Sequence, residues 1–260
     1  MRLTAIVLTY NEEKHIADCV ESLQFAHSVI VFDSFSTDDT CQIARSVGAE
    51  VIQHAFENYP SQRNAALDAV RKTTDWVLFV DADERISKAL AEEVLEKIQF
   101  PGYGGFRIPR HNYIFGRLTR GAGWYPDYQT RLLKVDSAHY VPERQVHEVV
   151  ELMGDQGTLV NPIIHYNYET IQQFLVKQRK YTAYEAKILF EEGVRPKLRN
   201  YILQPLRHFR WRFMTLKGYT DGVHGLLLSG LMAYFEFKKY RYLRELWYEA
   251  DWRSKNEAQG

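Results

Sequence analysis

An α/β architecture is predicted: a mostly parallel, Rossmann-like sheet with helices on both faces, followed by a C-terminal helical appendage. Three features of the 260-residue chain point to it. Short apolar runs rich in β-branched residues alternate with helical-period segments over residues 1–100. Those runs are nearly continuous in hydrophobicity, the pattern of strands buried on both faces. Residues 195–260, in contrast, are basic and aromatic, with 13 Lys/Arg against 6 Asp/Glu.

The first strand is Leu3–Leu8, followed by a helix that keeps Ile16, Val20 and Leu23 on one face. Val29–Phe32 and Val51–His54 are the next strands, and between them Ile43 and Val47 keep helical spacing. Ser61 is placed to cap a helix carrying Ala66 and Val70, which leads to the strand Trp76–Val80. Ser87 is placed to cap a fourth helix with Leu90, Val94 and Ile98 on its apolar face. A β-α repeat of this kind is solved by parallel strands and crossovers, with any ligand beyond the carboxyl ends of the strands. Residues 101–126 hold six glycines beside Arg107, Arg110, Arg117 and Arg120 and are expected to form a long functional loop. Gln129–Val135 and Thr158–His165 are read as further strands, and a long helix runs from about Thr170 to Glu192, ended by Gly193 and Pro196. The expected organisation is a domain over residues 1–194, comprising a first half (1–100), a second half (101–169) and a long helix (170–194). A helical tail over 195–260 completes it.

With 45% hydrophobic and 25% charged residues, the composition excludes a disordered or fibrous chain. Lys+Arg and Asp+Glu both number 33, so net charge makes no case for nucleic acid. The charge is uneven, however: residues 1–194 hold 27 acids and 20 bases, whereas the tail carries an excess of seven positive charges. Between Arg195 and Lys217 there are seven Lys/Arg and no acid, interleaved with Tyr201, Phe209, Trp211 and Phe213. That pattern suits an anionic membrane surface, with Arg207, Arg210 and Arg212 as its expected contacts, or a helical bundle packed on the body. No apolar stretch reaches the ~18–20 residues of a membrane span, and the amino terminus lacks the apolar run of a signal peptide. Cys19 and Cys41 have no metal-type spacing and are expected to be free thiols in a reducing cytosol.

Polar residues directly after each strand are the candidates for chemistry. The first strand ends in Thr9-Tyr10-Asn11-Glu12-Glu13 and the second in Asp33-Ser34-Phe35-Ser36-Thr37-Asp38, where helix capping is the competing explanation. The fourth ends in Val80-Asp81-Ala82-Asp83-Glu84. Carboxylates two residues apart after a buried strand crowd negative charge, which a hard divalent ion such as Mg2+ or Mn2+ relieves.

TAIVLTYNEE, VIVFDSFSTDDT, SQRNAAL and VLFVDADE, in that order over residues 1–85, resemble the motifs of family 2 glycosyltransferases with the GT-A fold. GWYPDYQTRLLK, VHEVV, the IIHY strand and KGYTDGVHGLLLSGLMAYFEFKKY are similar to a narrower group, the bacterial lipopolysaccharide inner-core β-glucosyltransferases. The resemblance implies an inverting hexosyl transfer from a UDP-sugar, with UDP-glucose as donor and an inner-core heptose as acceptor. A lipid-linked acceptor implies a peripheral enzyme on the cytoplasmic face of a Gram-negative inner membrane. Capsule and polyprenyl-phosphate acceptors are alternatives, as is a non-catalytic sugar-nucleotide-binding protein.

By the same resemblance Tyr10 and Asp33 hold the nucleotide base, Asp33 accepting from the uracil N–H, with Asn11 and Glu12 beside them. Asp81 contacts ribose, Arg63 binds the donor, and Asp83 binds the divalent ion that bridges the diphosphate. Asn64 is a weaker candidate. His165 completes the coordination of the ion, and Arg110, Trp124 and His147 face the acceptor. An inverting transfer needs one general base and no covalent nucleophile. Glu148, in Val146-His147-Glu148, occupies the zone of the base, although the family's usual Glu-Asp is here His-Glu. Asp127, in Trp124-Tyr125-Pro126-Asp127, is its rival.

Overall fold

The computed structural model describes residues 1–141 and 150–257. The chain divides into two units, the first comprising Met1–His111 and Pro126–Tyr166, the second Asn112–Tyr125 and Asn167–Gly260.

The first unit opens as the alternation requires: β1 (Leu3–Thr9), α1 (Ile16–Ser22), β2 (Ser28–Asp33), α2 (Thr40–Ser46), β3 (Glu50–Gln53), α3 (Tyr59–Val70), β4 (Trp76–Asp81), β5 (Glu84–Arg85) and α4 (Lys88–Lys97). There follow β6 (Tyr103–Ile114), β7 (Arg117–Leu118), β8 (Asp127–Lys134), β9 (Ala138–Tyr140), β10 (Val150–Leu152), β11 (Asp155–Thr158) and β12 (Ile163–Tyr168). The main sheet has the order β3-β2-β1-β4-β8-β6-β12-β5. β1 pairs in parallel with both β2 and β4, so the strand order reverses between β1 and β4. A crevice at the carboxyl ends of two such strands is where open α/β sheets bind ligands. β4 then pairs antiparallel with β8, and β8 with β6. One core, on Leu3, Val7, Val20, Leu78, Val80 and Leu90, fills one face of the sheet, and Ile6, Phe32, Leu67, Val77, Phe79 and Leu133 form another. Side chains alternate along β4 between these two clusters, as the period of a strand dictates.

Three local expectations are corrected. The glycine-rich segment 101–126 is not one long loop: it contains the twelve-residue strand β6 and its hairpin partner β7. Gly104 lets the Met153 backbone approach β6 closely, because a Cβ there would collide with the Met153 carbonyl oxygen. The cap of α3 is Asn58, whose side chain accepts from Ser61 N at 2.9 Å, so Ser61 lies inside the helix. The strand expected over 158–165 is two strands, β11 and β12, interrupted around Pro162, which cannot donate to a ladder. Ser87 caps α4 as expected, accepting from Leu90 N at 3.2 Å.

In the second unit α5 (Ile171–Glu191), α6 (Asn200–Arg210) and α7 (Gly222–Glu257) pack with the 112–125 hairpin. The boundary expected at residue 194 is therefore not where packing divides the chain. α5 buries Phe174 and Ala186 against residues of α7: Phe174 joins Ile114, Tyr168, Leu228 and Phe235, and Ala186 joins Tyr240 and Leu243. A π-helical turn, Trp211–Thr215, prolongs α6, and a 3-10 turn, Gly218–Asp221, leads into α7. No helix among the described residues is long and apolar enough to cross a membrane.

α5 begins with a reciprocal capping box. Thr170 Oγ1 accepts from Gln173 N, and Gln173 Oε1 accepts from Thr170 N. Thr170→Ala is expected to lower stability by about 1 kcal/mol, measured as a shifted urea midpoint with an unchanged slope.

Candidate active site

The carboxyl ends of β1, β2 and β4 bring the first three motifs together. Asn11, after β1, takes a left-handed backbone (φ 55°), and Phe35, after β2, does so too (φ 61°). An asparagine tolerates that region; a phenylalanine there is a strained residue held by its surroundings. The two loops are laced: Asn11 N donates to Ser36 Oγ, Thr37 N donates to Asn11 Oδ1, and Glu12 N donates to Thr40 Oγ1, each at 2.8 Å. Tyr10 stands exposed at the mouth.

Asp33 lies fully buried beneath them. Its carboxylate accepts from Thr9 Oγ1 (3.2 Å), Gln53 Nε2 (3.1 Å), Ser36 N (2.9 Å) and Ser36 Oγ. Burial alone would raise its pKa, but the bonds from Ser36 and Gln53 outweigh it and hold the carboxyl below its ordinary value. All four lone-pair positions are thus occupied within the chain, and a uracil N–H enters only by displacing one donor.

The turn after β4 is built from both sides. Glu84, fully buried, accepts from Asp81 N through Oε2 at 2.9 Å, and Tyr166 N donates to the Asp83 carbonyl at 2.9 Å. Asp81 is gripped by a residue to which the sequence reading gave no role. Arg131, on β8 and buried, donates from Nη1 to Asp81 Oδ1 at 3.0 Å and from Nη2 to Oδ2. Arg63 lies 3.8 Å from Asp81, its guanidinium 5.0 Å above the Phe79 ring. Burial would raise the Asp81 carboxyl, yet Arg131 and Arg63 outweigh it and hold it far below the usual carboxylate range. The crowding argued from the spacing of Asp81 and Asp83 is met at Asp81 by arginines.

The cluster continues outward through Arg110. Its guanidinium donates to Glu84 Oε1 at 3.3 Å and to Asp127 Oδ2 from Nε (2.9 Å) and Nη2 (2.5 Å), while Gln129 Nε2 donates to Asp127 Oδ1 at 2.9 Å. Arg110 thus spans the two carboxylates. Asn64 is likewise engaged within the fold, where its Nδ2 donates to Tyr140 O and its Oδ1 accepts from Tyr140 N. Trp124 stands in the second unit, edge-on to Tyr168 and close to Phe174. His147 and Glu148 lie outside the described residues.

Asp83 stands apart from the arginine cluster. Its Oδ2 faces His165 Nε2 on β12 at 3.4 Å. Donors side by side in one coordination shell stand about 3 Å apart, so an oxygen and an imidazole nitrogen in this arrangement fit one divalent ion. No group of three or more His, Cys, Asp or Glu that could hold a metal exists among the described residues. An ion placed between Asp83 and His165 would need further ligands, such as diphosphate oxygens and water, the usual way of holding Mg2+.

Arg131 and Glu84 are the site residues that sequence reasoning left unassigned. A signal existed: in Asp127–Lys134, DYQTRLLK, a lone arginine heads the run of residues that β8 buries. A buried arginine is a rarity that needs a carboxylate.

The family described as "Glycosyl transferase family 2" matches residues 4–138. The lipopolysaccharide core biosynthesis glycosyltransferase LpsC of Rhizobium meliloti is 26% identical over 246 residues, covering 89% of this chain and 90% of that protein. An uncharacterized glycosyltransferase of Rickettsia bellii is 28% identical over 259 residues, covering 94% and 87%. Among solved structures, mannosyl-3-phosphoglycerate synthase from Rubrobacter xylanophilus aligns with a TM-score of 0.49 at 16% identity, covering 76% of this chain and 77% of that one. S. aureus TarS 1-349 in complex with UDP aligns with a TM-score of 0.47 at 16% identity, covering 96% and 92%.

Proposed function

The chain belongs to glycosyl transferase family 2 and has the GT-A fold, and on that premise we propose that it is an inverting, metal-dependent hexosyltransferase of lipopolysaccharide core assembly. The observation that carries the reading is the Asp83–His165 pair beside an arginine-held Asp81, at the point where the strand order reverses. UDP-glucose is the proposed donor and an inner-core heptose hydroxyl the acceptor. Similarity to a lipopolysaccharide core biosynthesis glycosyltransferase over 89% of the chain supports a role in core assembly. A lipid-linked acceptor puts the reaction at the cytoplasmic face of the inner membrane.

Tyr10 and Asp33 would receive the nucleotide base, with Asn11 and Glu12 forming the rim. Asp81, fixed by Arg131, would accept from ribose, and Arg63 would add positive charge behind it. Asp83 and His165 would hold a Mg2+ or Mn2+ ion, which neutralises charge on the departing diphosphate. The acceptor oxygen attacks the anomeric carbon as the bond from that carbon to the diphosphate oxygen breaks. UDP leaves with the electron pair, and the hydroxyl proton passes to a carboxylate.

We assign that carboxylate to Glu148. Both oxygens of Asp127 already accept hydrogen bonds, from Arg110 and Gln129, which suits a positioning residue better than a base. Glu148→Gln is expected to reduce turnover about 10²-fold or more with donor affinity little changed, measured by UDP release with core lipid as acceptor. If Asp127→Asn shows that pattern and Glu148→Gln does not, the two roles are exchanged.

A further inference from the structure

α6 is amphipathic in an unusual sense, for its apolar residues point away from the helix it packs on. The inward face is identified by its bonds: Tyr201 Oη donates to the Tyr240 carbonyl at 3.2 Å, and His208 Nδ1 meets Glu236 Oε2 at the same distance. At 100° per residue, Ile202, Leu203 and Leu206 fall on the opposite side. They are 65%, 58% and 62% exposed, and Leu198 and Met214, flanking the helix, are 86% and 58% exposed. No core cluster of the second unit includes any of these five.

Arginines share that outer face. Arg199 and Arg210 lie between Leu206 and Leu203 around the helix, and Arg207 flanks Leu203. None of the three has an ion pair among the described residues, and no Asp or Glu occurs between positions 195 and 217. Long stems lying along leucines with charged heads able to rise out of the plane are what a bilayer interface selects. A second copy of the chain would instead set these arginines against one another.

Arg212 is not part of this surface, contrary to the sequence expectation. Its Nε donates to His208 Nε2 at 2.7 Å and its Nη1 to the Ala122 carbonyl at 2.6 Å, so it fastens the π-helical turn to the 112–125 hairpin. Burial pushes its guanidinium below its ordinary pKa.

We propose that α6 is an in-plane membrane helix: Ile202, Leu203 and Leu206 enter the headgroup boundary of an anionic phospholipid leaflet, and Arg199, Arg207 and Arg210 bind its phosphates. The choice of a bilayer rests in part on the lipid-linked acceptor proposed above, whereas the face itself rests on geometry alone.

The full-length protein is floated with vesicles of phosphatidylethanolamine and phosphatidylglycerol, and separately with neutral phosphatidylcholine. Binding to the anionic vesicles and weak binding to the neutral ones are expected. Leu203→Ser/Leu206→Ser should reduce partitioning by about 10²-fold at any salt concentration. Arg207→Gln/Arg210→Gln should reduce it by about tenfold or more at low salt and less at high salt. Both variants should keep the parent's circular dichroism and melting temperature, since the changed side chains are exposed. The proposal is overturned by a native protein that does not float with anionic vesicles, or by variants that float as it does. A dimer dissolved by Leu203→Ser/Leu206→Ser also overturns it and makes the face a self-association surface. UDP release in solution, assayed on the same samples, should be unchanged in both variants. Its absence from the native protein counts against the transferase reading and leaves the flotation result intact.

Discussion

Arg131→Met destabilises the first unit by about 3 kcal/mol in the expected result, because it leaves buried carboxylate charge without a partner. Arg63, Arg110 and Arg131 face Asp81, Glu84 and Asp127, three cations against three anions, linked by contacts of 3.8 Å or less. Losing Arg131 leaves Glu84, which is 0% exposed, with Arg110 as its remaining ion partner among the described residues. Breaking a buried pair commonly costs about 3–5 kcal/mol. The lower end applies because the Asp81 side chain is 34% exposed and water screens part of its charge. Arg131→Lys should recover little, since an ammonium cannot engage both oxygens of Asp81 as the guanidinium fork does. Urea unfolding followed through Trp76, buried in this unit, measures the loss. A midpoint equal to that of the native protein would refute the account. The pH dependence has a defined sign. A carboxyl whose folded pKa is depressed stabilises the fold above its unfolded value, about pH 4, and loses that contribution as pH falls through the folded value. The native protein should therefore lose this contribution in acid, and Arg131→Met should show a flatter profile there.

Asp83→Ala is expected to lower sugar transfer by about 10³-fold or more and to abolish the Mn2+-dependent part of UDP binding. Stability should stay within about 0.5 kcal/mol of the native value, since Asp83 is partly exposed and stands outside the arginine cluster. Titration calorimetry of UDP with and without Mn2+, beside a turnover assay, separates the effects. Near-full activity in Asp83→Ala would remove the ion from the proposed mechanism. Loss of fold together with activity would make Asp83 a structural residue like its neighbour Asp81.

That contrast between two residues of one motif shows how much of the site was legible beforehand. The apolar runs of β1, β2 and β4 and the acids after them are local signals, and each strand formed where its run of β-branched residues stands. Spacing alone treated Asp81 and Asp83 alike, as one crowded pair awaiting a cation. In the fold they face different neighbours: Asp81 meets Arg131, 50 residues away on an antiparallel strand, and Asp83 meets His165 on β12. Asp127 illustrates the same limit. Its acidity in the acceptor region was legible in the sequence, but Arg110 standing opposite it in the β6 ladder was not.

The basic segment after residue 194 followed this rule as well. Its charge and aromatic content could be counted, but not which arginines would face solvent. Periodicity put Ile202 and Leu206 on one side of a helix; only packing revealed that Tyr201 and His208, on the other side, face α7. Arg212 looked equivalent to Arg207 and Arg210 until the π-helical turn rotated it toward Ala122. From the chain alone came the parallel β-α body, the acids that follow its strands and, by resemblance of motifs, the family. The body follows from hydrophobic period and from backbone hydrogen bonding, which act over a few neighbouring residues. The tertiary structure decided which charges neutralise one another and which apolar face stays uncovered, because buried ion pairs and helix contacts join residues that share no stretch of sequence.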